Sequence, residues 1–290
     1  MQRFSIMALF MVVILLLSAT TAFAQTSKVD VGSGLDLFID VQGTTVPGKP
    51  TVVFDSGSGD DHTVWQTAYV QQQIAQNTLT ISYDRAGLGQ SDDDANIAKN
   101  GVTKATQLHA LLQNANIPGP YLFVSHSISG VFARTYAALY PSEVAGIIFV
   151  DSTHEDVVQE FGEEFIRGDI EYSGEFTWTD WLTTDQQIRQ LNAQDALRNT
   201  PITVLSANCH GVCDEQNPGS LIDETKWASL QNKIAALSDD VIHTTVDSGH
   251  YIQLNKPQAV ISAIHAIVTR INLPEPSREY RYFSLFNLIA

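Results

Sequence analysis

The stretch FVSHSISG, Phe123 to Gly130, joins an apolar run to a helical pattern through a turn of small polar residues. The run PYLFV is short and apolar, which predicts a buried strand. The sequence GVFARTYAALY that follows has the spacing of an amphipathic helix. A strand that turns into a helix through SHSIS can lift one serine hydroxyl above the edge of a sheet.

Ser127 is the serine that this turn presents best. A sharp, strained turn leaves no room for large side chains two residues before and after the residue that it presents. Around Ser127 those positions hold Ser125 and Ser129, whereas a turn centred on Ser125 would include Phe123 and one centred on Ser129 would include Val131. We predict Ser127 as a nucleophile. The alternative is that these serines only cap the following helix, since both flanking positions usually hold glycine.

The rest of the chain alternates short apolar runs with amphipathic stretches such as HTVWQTAYVQQQIAQ. Near-continuous apolar strands separated by helices predict an α/β fold with a mostly parallel central sheet flanked by helices. KVDV and LDLFIDVQG predict an antiparallel hairpin at one edge. The segment of about residues 153–200 has helical pieces but no strand, which predicts a small helical cap insertion. The predicted strands after the hairpin are PTVVFDS, LTISYD, PYLFVS, AGIIFVDS, PITVLSA and DVIHTTVDS.

A histidine follows the last predicted strand, in TTVDSGHYIQL, where Gly249 and His250 precede the final helix. In a parallel α/β chain a nucleophile, an acid and a histidine come in this order along the sequence. His250 is therefore predicted as the general base. A glycine- and serine-rich loop, VVFDSGSG, follows the third strand, and YDRAGLGQSD follows the fourth.

Together these motifs resemble those of the α/β-hydrolase-fold serine hydrolases, a superfamily of esterases and lipases. The resemblance covers about residues 28–273 and implies one α/β-hydrolase domain over residues 25–290. In that family Asp-Arg-x-Gly-x-Gly-x-Ser follows the fourth strand. The matching residues here are Asp84, Arg85, Gly87, Gly89 and Ser91.

The resemblance also implies an oxyanion hole made of two backbone N–H groups. One belongs to Ile128, the residue after the nucleophile. The other belongs to Gly57, or alternatively to Ser58, in the loop DSGSG. This loop lacks the histidine of the family's His-Gly loop.

The acid of the triad has two candidates. In most of the family it follows the strand after the insertion, where this chain has Asn208, Cys209 and His210, with Asp214 four residues further on. Relatives similar to the haloalkane dehalogenases carry it one strand earlier, where AGIIFVDS ends in Asp151. We predict Asp151 because a strand end places a side chain firmly. Asp214 stays the alternative, with Asp151 then a structural cap.

The resemblance implies a carboxylic ester hydrolase that transfers an acyl group to water, with Ser127, Asp151 and His250 as the catalytic triad. A serine at the elbow argues against the epoxide-hydrolase and dehalogenase branches, which use a carboxylate nucleophile. The expected substrate is a small-molecule acyl ester, without a cofactor or a metal. Two alternatives stay open: a proline-iminopeptidase-like hydrolase of aminoacyl amides, and a hydrolase-fold ligand-binding protein with vestigial turnover.

Aromatic side chains of the cap have two interpretations. They line an apolar acyl pocket, or they pack the cap onto the sheet. The tail 274–290 ends in an apolar stretch that packs on the sheet edge or mediates association, and the sequence does not decide which. The cap aromatics are Phe161, Phe165, Phe176, Trp178 and Trp181.

The N-terminus, MQRFSIMALFMVVILLLSATTAFAQ, predicts a signal peptide. Arg3 gives the positive start, an apolar run from Ile6 to Leu17 follows, and Ala22-Phe23-Ala24 fits a cleavage site. The apolar run is too short for a comfortable membrane span. We predict removal of residues 1–24, a secreted or periplasmic location and no stable membrane span after cleavage. The alternative is that the segment stays as an uncleaved anchor.

The net charge of the chain disfavours two kinds of binding partner, nucleic acid and anionic membranes. The chain has 32 acidic and 16 basic residues, a net charge of −16, which repels nucleic acid and anionic membrane surfaces.

The two cysteines of the chain, Cys209 and Cys213, lie close together, which predicts a disulfide in an oxidising compartment. The alternative is a metal site of Cys209, His210 and Cys213, for which the sequence offers no second ligand cluster.

Overall fold

A computed structural model describes residues 24–191, 195–211 and 222–271 of the 290-residue chain, and an eight-stranded sheet forms its centre. The strands are β1 Gln25–Asp30, β2 Asp36–Gln42, β3 Thr51–Asp55, β4 Thr80–Tyr83, β5 Tyr121–His126, β6 Val144–Val150, β7 Ile202–Ala207 and β8 Val241–Val246. Their order across the sheet is β1-β2-β4-β3-β5-β6-β7-β8. β1 pairs antiparallel with β2, β2 pairs antiparallel with β4, and the other neighbours are parallel. The predicted hairpin and mostly parallel sheet are confirmed.

The central strands are apolar on both faces because helices cover both faces. All six residues of β5 are buried. Successive side chains of a strand point to opposite faces. Accordingly, Tyr121 and Phe123 belong to one buried cluster, and Leu122 and Val124 belong to the cluster on the other side. A strand buried in this way cannot show the polar-apolar alternation of a half-exposed strand, which is why its sequence is a continuous apolar run.

Ten α-helices and one short 3₁₀ helix, Pro141–Glu143, are found in the described residues, and one predicted helix is divided in two. The stretch HTVWQTAYVQQQIAQ forms two helices because Tyr69, between them, has a left-handed φ of 58° that no continuous α-helix contains. None of the described helices is both long and apolar enough to cross a membrane. The helices are α1 Thr63–Thr67, α2 Val70–Ala75, α3 Gly101–Asn114, α4 Ser129–Leu139, α5 Val157–Phe161, α6 Glu163–Ser173, α7 Trp178–Gln190, α8 Glu224–Ala235, α9 Ile252–Asn255 and α10 Pro257–Arg270.

Three helices, α5, α6 and α7, lie between β6 and β7, in the segment predicted as a cap. α7 begins with a capping box in which Thr177 and Asp180 each accept a hydrogen bond from the other's backbone N–H. Phe176 and Trp181 are buried against α4, where they join a cluster with Phe132. Phe161, Phe165 and Trp178 pack partly buried against the same cluster. These contacts favour the interpretation that the aromatics attach the cap to the body of the protein.

Several predicted features lie outside the described residues. The predicted signal peptide covers residues 1–24, of which 1–23 lie outside. The whole tail 274–290 lies outside as well. Cys213 also lies outside, so the disulfide between Cys209 and Cys213 stays a prediction.

A buried ion pair joins α4 to the start of the cap. The Arg134 guanidinium donates to both carboxylate oxygens of Glu155, and both side chains are almost fully buried. Burial alone would raise the pKa of Glu155, but the Arg134 charge and hydrogen bonds outweigh it and lower the pKa to about 2. The pair therefore stays ionised inside the protein at neutral pH.

Arg134→Met should lower the free energy of unfolding by about 3–5 kcal/mol, because Glu155 would remain buried without its cation. Arg198→Met is the matched control, since the ion pair of Arg198 with Asp239 is more than half exposed. That change should cost less than about 1 kcal/mol. Urea denaturation followed by circular dichroism measures both, and equal losses would contradict a stabilising role of the buried pair.

Candidate active site

Loops that follow neighbouring parallel strands meet at the carboxyl edge of the sheet. Parallel strands end at the same edge, so β3, β5, β6, β7 and β8 bring their following residues together there. The loop 56–61 follows β3. Ser127 follows β5, Asp151 follows β6, His210 comes after β7, and His250 comes after β8.

Ser127 lies in a strained turn between β5 and α4. Its φ of 56° is in the left-handed region, which costs a residue with a Cβ on the order of 1 kcal/mol. The turn is held because its N–H donates to the carbonyl of Val150 at 3.2 Å and its carbonyl accepts from Thr153 at 2.9 Å. A Cβ at Gly130 would lie 2.6 Å from Cβ of Ser152, so only glycine fits there. The small residues around Ser127 thus match a tight elbow.

The serines of the turn do not cap α4. The N-cap position of this helix is Ile128, and no side chain makes a capping hydrogen bond there. Oγ of Ser129 instead lies 2.7 Å from the carbonyl oxygen of His126 and 3.0 Å from that of Asp55. The capping alternative is therefore wrong, and Ser129 fastens the elbow to the end of β3.

Asp151 receives four hydrogen bonds on one buried carboxylate. Oδ1 accepts from the backbone N–H of Ala207 and from Nε1 of Trp227, both at 2.8 Å. Oδ2 lies 2.7 Å from Nδ1 of His250 and 2.8 Å from Nε2 of His210. Burial alone would raise the pKa of Asp151, but the hydrogen bonds from the two histidines outweigh it and hold the pKa well below its usual range. The Asp151 carboxyl group is therefore ionised at neutral pH.

His250 is oriented by that carboxylate. Since an ionised carboxylate only accepts, the 2.7 Å contact requires that Nδ1 of His250 carry a proton. The backbone carbonyl of His250 accepts from Nε2 of His126 at 3.1 Å, and the two rings lie 4.6 Å apart between centroids. His250 is therefore attached both to the loop after β6 and to the residue before Ser127.

Asp151 is the carboxylate that contacts His250 in the described residues, at the strand end where the sequence places the acid. Its φ of 45° is left-handed, so Asp151, like Ser127, is held in a strained conformation at the end of a strand. The alternative acid, Asp214, lies outside the described residues. Asp151 does not cap the following helix, because the N-cap of α5 is Asp156.

His210 is the residue of this site that sequence reasoning missed. Nε2 faces Asp151, and Nδ1 lies 3.0 and 3.1 Å from the two carboxylate oxygens of Glu224. Burial would lower the pKa of His210, but the hydrogen bonds and charges of both carboxylates outweigh it and raise the pKa to about 9. The available signal was its position after β7, where most of the resembling family carries its acid.

Two clusters of imidazole and carboxylate groups in the described residues are joined by hydrogen bonds. Both ring nitrogens of His210 face carboxylates. The alternative metal site of Cys209, His210 and Cys213 stays an alternative, because Cys213 lies outside the described residues. In the second cluster, Oδ1 of Asp84 is held by Nδ1 of His62 at 2.7 Å and by the backbone N–H of His62 at 2.8 Å. We interpret both clusters as hydrogen-bond networks.

Arg85 orients the backbone of the loop after β3. Its Nη1 donates to the carbonyl of Ser56 at 2.6 Å, and its Nη2 donates to the carbonyl of Gly57 at 2.5 Å. In a trans peptide the C=O and the following N–H point in opposite directions. The N–H groups of Gly57 and Ser58 therefore point away from Arg85. A Cβ at Gly57 would lie 2.8 Å from Nδ1 of His126, which places this loop directly against the elbow.

Glu175 of the cap holds Arg85 in that position. Its carboxylate accepts from Nε and Nη2 of Arg85 at 2.7 and 2.9 Å and from Nζ of Lys104 at 2.5 Å. Arg85 also donates to Asp55 at 2.5 Å, and all four side chains are almost fully buried. Burial would raise the pKa of Glu175, but the two cations outweigh it and hold the pKa well below its usual range. The sequence gives no signal for Glu175.

The remaining residues of the Asp-Arg-x-Gly motif have a structural role. Oδ2 of Asp84 accepts from the backbone N–H of Gln90 at 2.8 Å. Gly89 has a φ of 49°, and a Cβ there would collide with the Asp84 carboxylate at 2.2 Å. Oγ of Ser91 donates to the carbonyl of Asp84 and accepts from the N–H of Phe38. The motif thus fixes the loop that carries Arg85.

Known proteins share parts of this sequence. The profile of the Alpha/beta hydrolase family matches residues 52–263. An AB hydrolase superfamily protein of Gibberella zeae is 29% identical over 138 residues, which are 46% of this chain and 42% of that protein. The uncharacterised protein YqjL of Bacillus subtilis is 25% identical over 224 residues, 75% of this chain and 83% of its own length. The chain thus spans less than half of the Gibberella relative.

Solved structures share the fold. A thermophilic esterase from Thermogutta terrifontis superposes with a TM-score of 0.58 at 16% identity, over 86% of this chain and 100% of the esterase. The enol-lactonase from Burkholderia xenovorans gives a TM-score of 0.58 at 13% identity, over 84% of this chain and 100% of that enzyme. At such identities the likeness establishes the fold alone. With the family profile covering most of the described sheet and the carboxyl-edge site, the chain belongs to the alpha/beta hydrolase family.

Proposed function

We propose that this protein is an exported serine hydrolase that cleaves a small-molecule carboxylic ester through an acyl-serine intermediate. The observation that carries the proposal is the 2.7 Å hydrogen bond between Nδ1 of His250 and the buried Asp151, at the sheet edge where Ser127 is held in a strained elbow. Two solved proteins that share the fold are named as an esterase and an enol-lactonase. Both names denote hydrolysis of an ester bond, which supports an ester as the substrate class.

The proposed mechanism assigns one role to each group of the triad. With Nδ1 of His250 protonated toward Asp151, the lone pair of the imidazole is on Nε2, which takes the proton of Ser127 as Oγ attacks the acyl carbonyl. Asp151 stabilises the imidazolium that forms and keeps the tautomer. His250 then protonates the leaving alcohol and activates the water that releases the acid.

The proposed oxyanion hole uses backbone N–H groups of Ile128 and Gly57, with Ser58 as the alternative to Gly57. The carbonyls of Ser56 and Gly57 are bonded to Arg85, so the N–H groups that follow them are turned away from that cation. A donor placed in advance at the developing oxyanion contributes about 3 kcal/mol to lowering the barrier. No cofactor and no metal takes part in this mechanism.

The location and the disulfide are parts of the same proposal. Residues 1–24 act as a signal peptide, and the mature protein is secreted or periplasmic. In that oxidising environment Cys209 pairs with Cys213. The N–H of Cys209 donates to the carbonyl of Ser248 at 3.2 Å, so the disulfide would stiffen a loop that contacts the one carrying His250.

Ser127→Ala should lower kcat for a short-chain p-nitrophenyl ester by at least about 10³-fold, because the attacking oxygen is removed. Ser125→Ala is the matched control; its hydroxyl is fully buried and has no hydrogen-bond partner among the described residues, so activity should stay near that of the wild type. Steady-state kinetics on esters and aminoacyl amides measures this. Faster turnover of the amides would favour the aminopeptidase alternative, and no turnover of either by the wild type would favour the ligand-binding alternative.

Asp151→Asn should lower kcat by about 10⁴-fold, because an amide in that place allows the wrong tautomer of His250, as the corresponding change does in a serine protease. Asp214→Asn should cost less than about tenfold. Circular dichroism of both variants controls for folding. A crippled, folded Asp214→Asn with a nearly normal Asp151→Asn would move the acid to the loop after β7.

Gly57→Ala should lower kcat about 10²- to 10³-fold with little change in KM, because the added Cβ would lie 2.8 Å from His126 and displace the proposed oxyanion donor. Gly168→Ala in α6 is the control, since a Cβ there meets nothing within 4 Å. Circular dichroism should show that both variants are folded. Unchanged kcat in a folded Gly57→Ala variant would remove Gly57 from the oxyanion hole.

A further inference from the structure

His210 is placed between two carboxylates that come from different parts of the chain. Nε2 lies 2.8 Å from Oδ2 of Asp151, and Nδ1 lies 3.0 Å from Oε2 of Glu224 at the start of α8. The backbone N–H of His210 also donates to Oε1 of Glu224 at 2.7 Å. Because a carboxylate only accepts hydrogen bonds, each ring nitrogen that faces one must carry a proton. The geometry is that of an imidazolium.

The surroundings keep this charge in place. The His210 side chain is almost fully buried. Trp227, whose Nε1 donates to Asp151, makes a T-shaped contact with its ring at 5.4 Å between centroids. With both carboxylates in contact, the raised pKa of about 9 means that His210 stays charged through neutral pH. Rotation of the ring would break both ion pairs, so the position of the charge is fixed.

His210 and His250 share a single acceptor atom. Both rings bond to Oδ2 of Asp151, and their centroids are 6.0 Å apart. A fixed positive charge at that distance disfavours a second positive charge on His250 and weakens the pull of Asp151 on its proton. A neutral side chain at position 210 would leave the whole negative charge of Asp151 to His250.

The other groups that face His250 do not supply a comparable cation. His126, at the end of β5, lies 4.6 Å away between ring centroids, but burial and the neighbouring His250 charge hold its pKa well below the usual range, so it is neutral. Asp60, in the loop after β3, contributes a carboxylate. Tyr251 and Trp227 contribute rings at 5.6 and 6.1 Å. Among these groups His210 is the one that carries a positive charge at neutral pH.

We propose that His210 is a positioning residue, a buried imidazolium held between Asp151 and Glu224 that fixes Oδ2 of Asp151 and lowers the proton affinity of His250. The proposal rests on the proposed function only for its kinetic consequence. Under it, the charge that Asp151 presents to His250 depends on residue 210, and the pH dependence of hydrolysis depends on it as well.

The kinetic test is the pH profile of kcat/KM. In His210→Gln the acidic limb should move up by about one pH unit, because the removed cation no longer opposes protonation of His250. Glu224→Gln should move it in the same direction by less, and His210→Lys, which keeps a cation, should restore it toward the wild type. His265→Gln, an exposed histidine of α10, is the matched control and should leave the profile unchanged.

The second test needs no substrate. In protein labelled with ¹⁵N-histidine, nuclear magnetic resonance should show both ring nitrogens of His210 protonated up to about pH 8. The titration midpoint of His250 should rise in His210→Gln by the same shift as the kinetic limb. These spectra report on His210 even if no ester is hydrolysed, so failure of the proposed function is distinguishable from failure of this inference.

Two results would overturn the inference. One is an unprotonated ring nitrogen on His210 at pH 7 in the wild type, which stands whether or not the variants fold. The other is a folded His210→Gln protein whose acidic limb and His250 titration both match those of the His265→Gln control. That second result, with or without a lower kcat, would show a purely structural role.

Discussion

The buried carboxylate of Asp151 organises the carboxyl edge of the sheet. An anion out of contact with water needs donors on its oxygens, and its four donors come from the end of β7, from α8 and from the loops after β7 and β8. Each of these segments is therefore placed relative to one point. The donors are Ala207, Trp227, His210 and His250.

A second buried charge cluster acts on the other side of Ser127. Arg85 binds the carbonyls of Ser56 and Gly57 and, through Glu175, ties this loop to the cap. Removing water from a cation is costly unless its donors are used, and Arg85 uses its planar array on carboxylates and carbonyls together. The hydrogen bonds of the two clusters orient peptide groups and imidazole rings. Apolar packing alone does not specify these orientations. The backbone strain at Ser127 and Asp151 is tolerated because the hydrogen bonds of these two clusters hold the segments on either side of the elbow in place.

The buried strands, the elbow and the side chain at the end of β6 are predictable from the sequence, because each depends on only a few neighbouring residues. Strands buried on both faces must be apolar throughout, a strained elbow must have small neighbours, and a strand end fixes the side chain that follows it. The contacts of His210 with Asp151 and of Arg85 with Glu175 span 59 and 90 residues. Their pairing is decided by how the loops and the cap fold, so no short pattern announces it. The break at Tyr69 was hidden for a similar reason, since its left-handed conformation interrupts a stretch of ordinary helical composition.

The place of the carboxylate that contacts His250 and the identity of residue 210 form one arrangement. In most proteins of the resembling family a carboxylate after β7 meets the histidine, whereas here Asp151 reaches it from the end of β6. A carboxylate retained after β7 would place two anions against one imidazole and leave one of them without a donor. An imidazolium in that place instead gives Oδ2 of Asp151 a second donor and balances its charge, while Glu224 satisfies the other nitrogen of the ring. With this carboxylate at the end of β6, the position after β7 can hold a hydrogen-bond donor instead, and His210 is the residue that provides it.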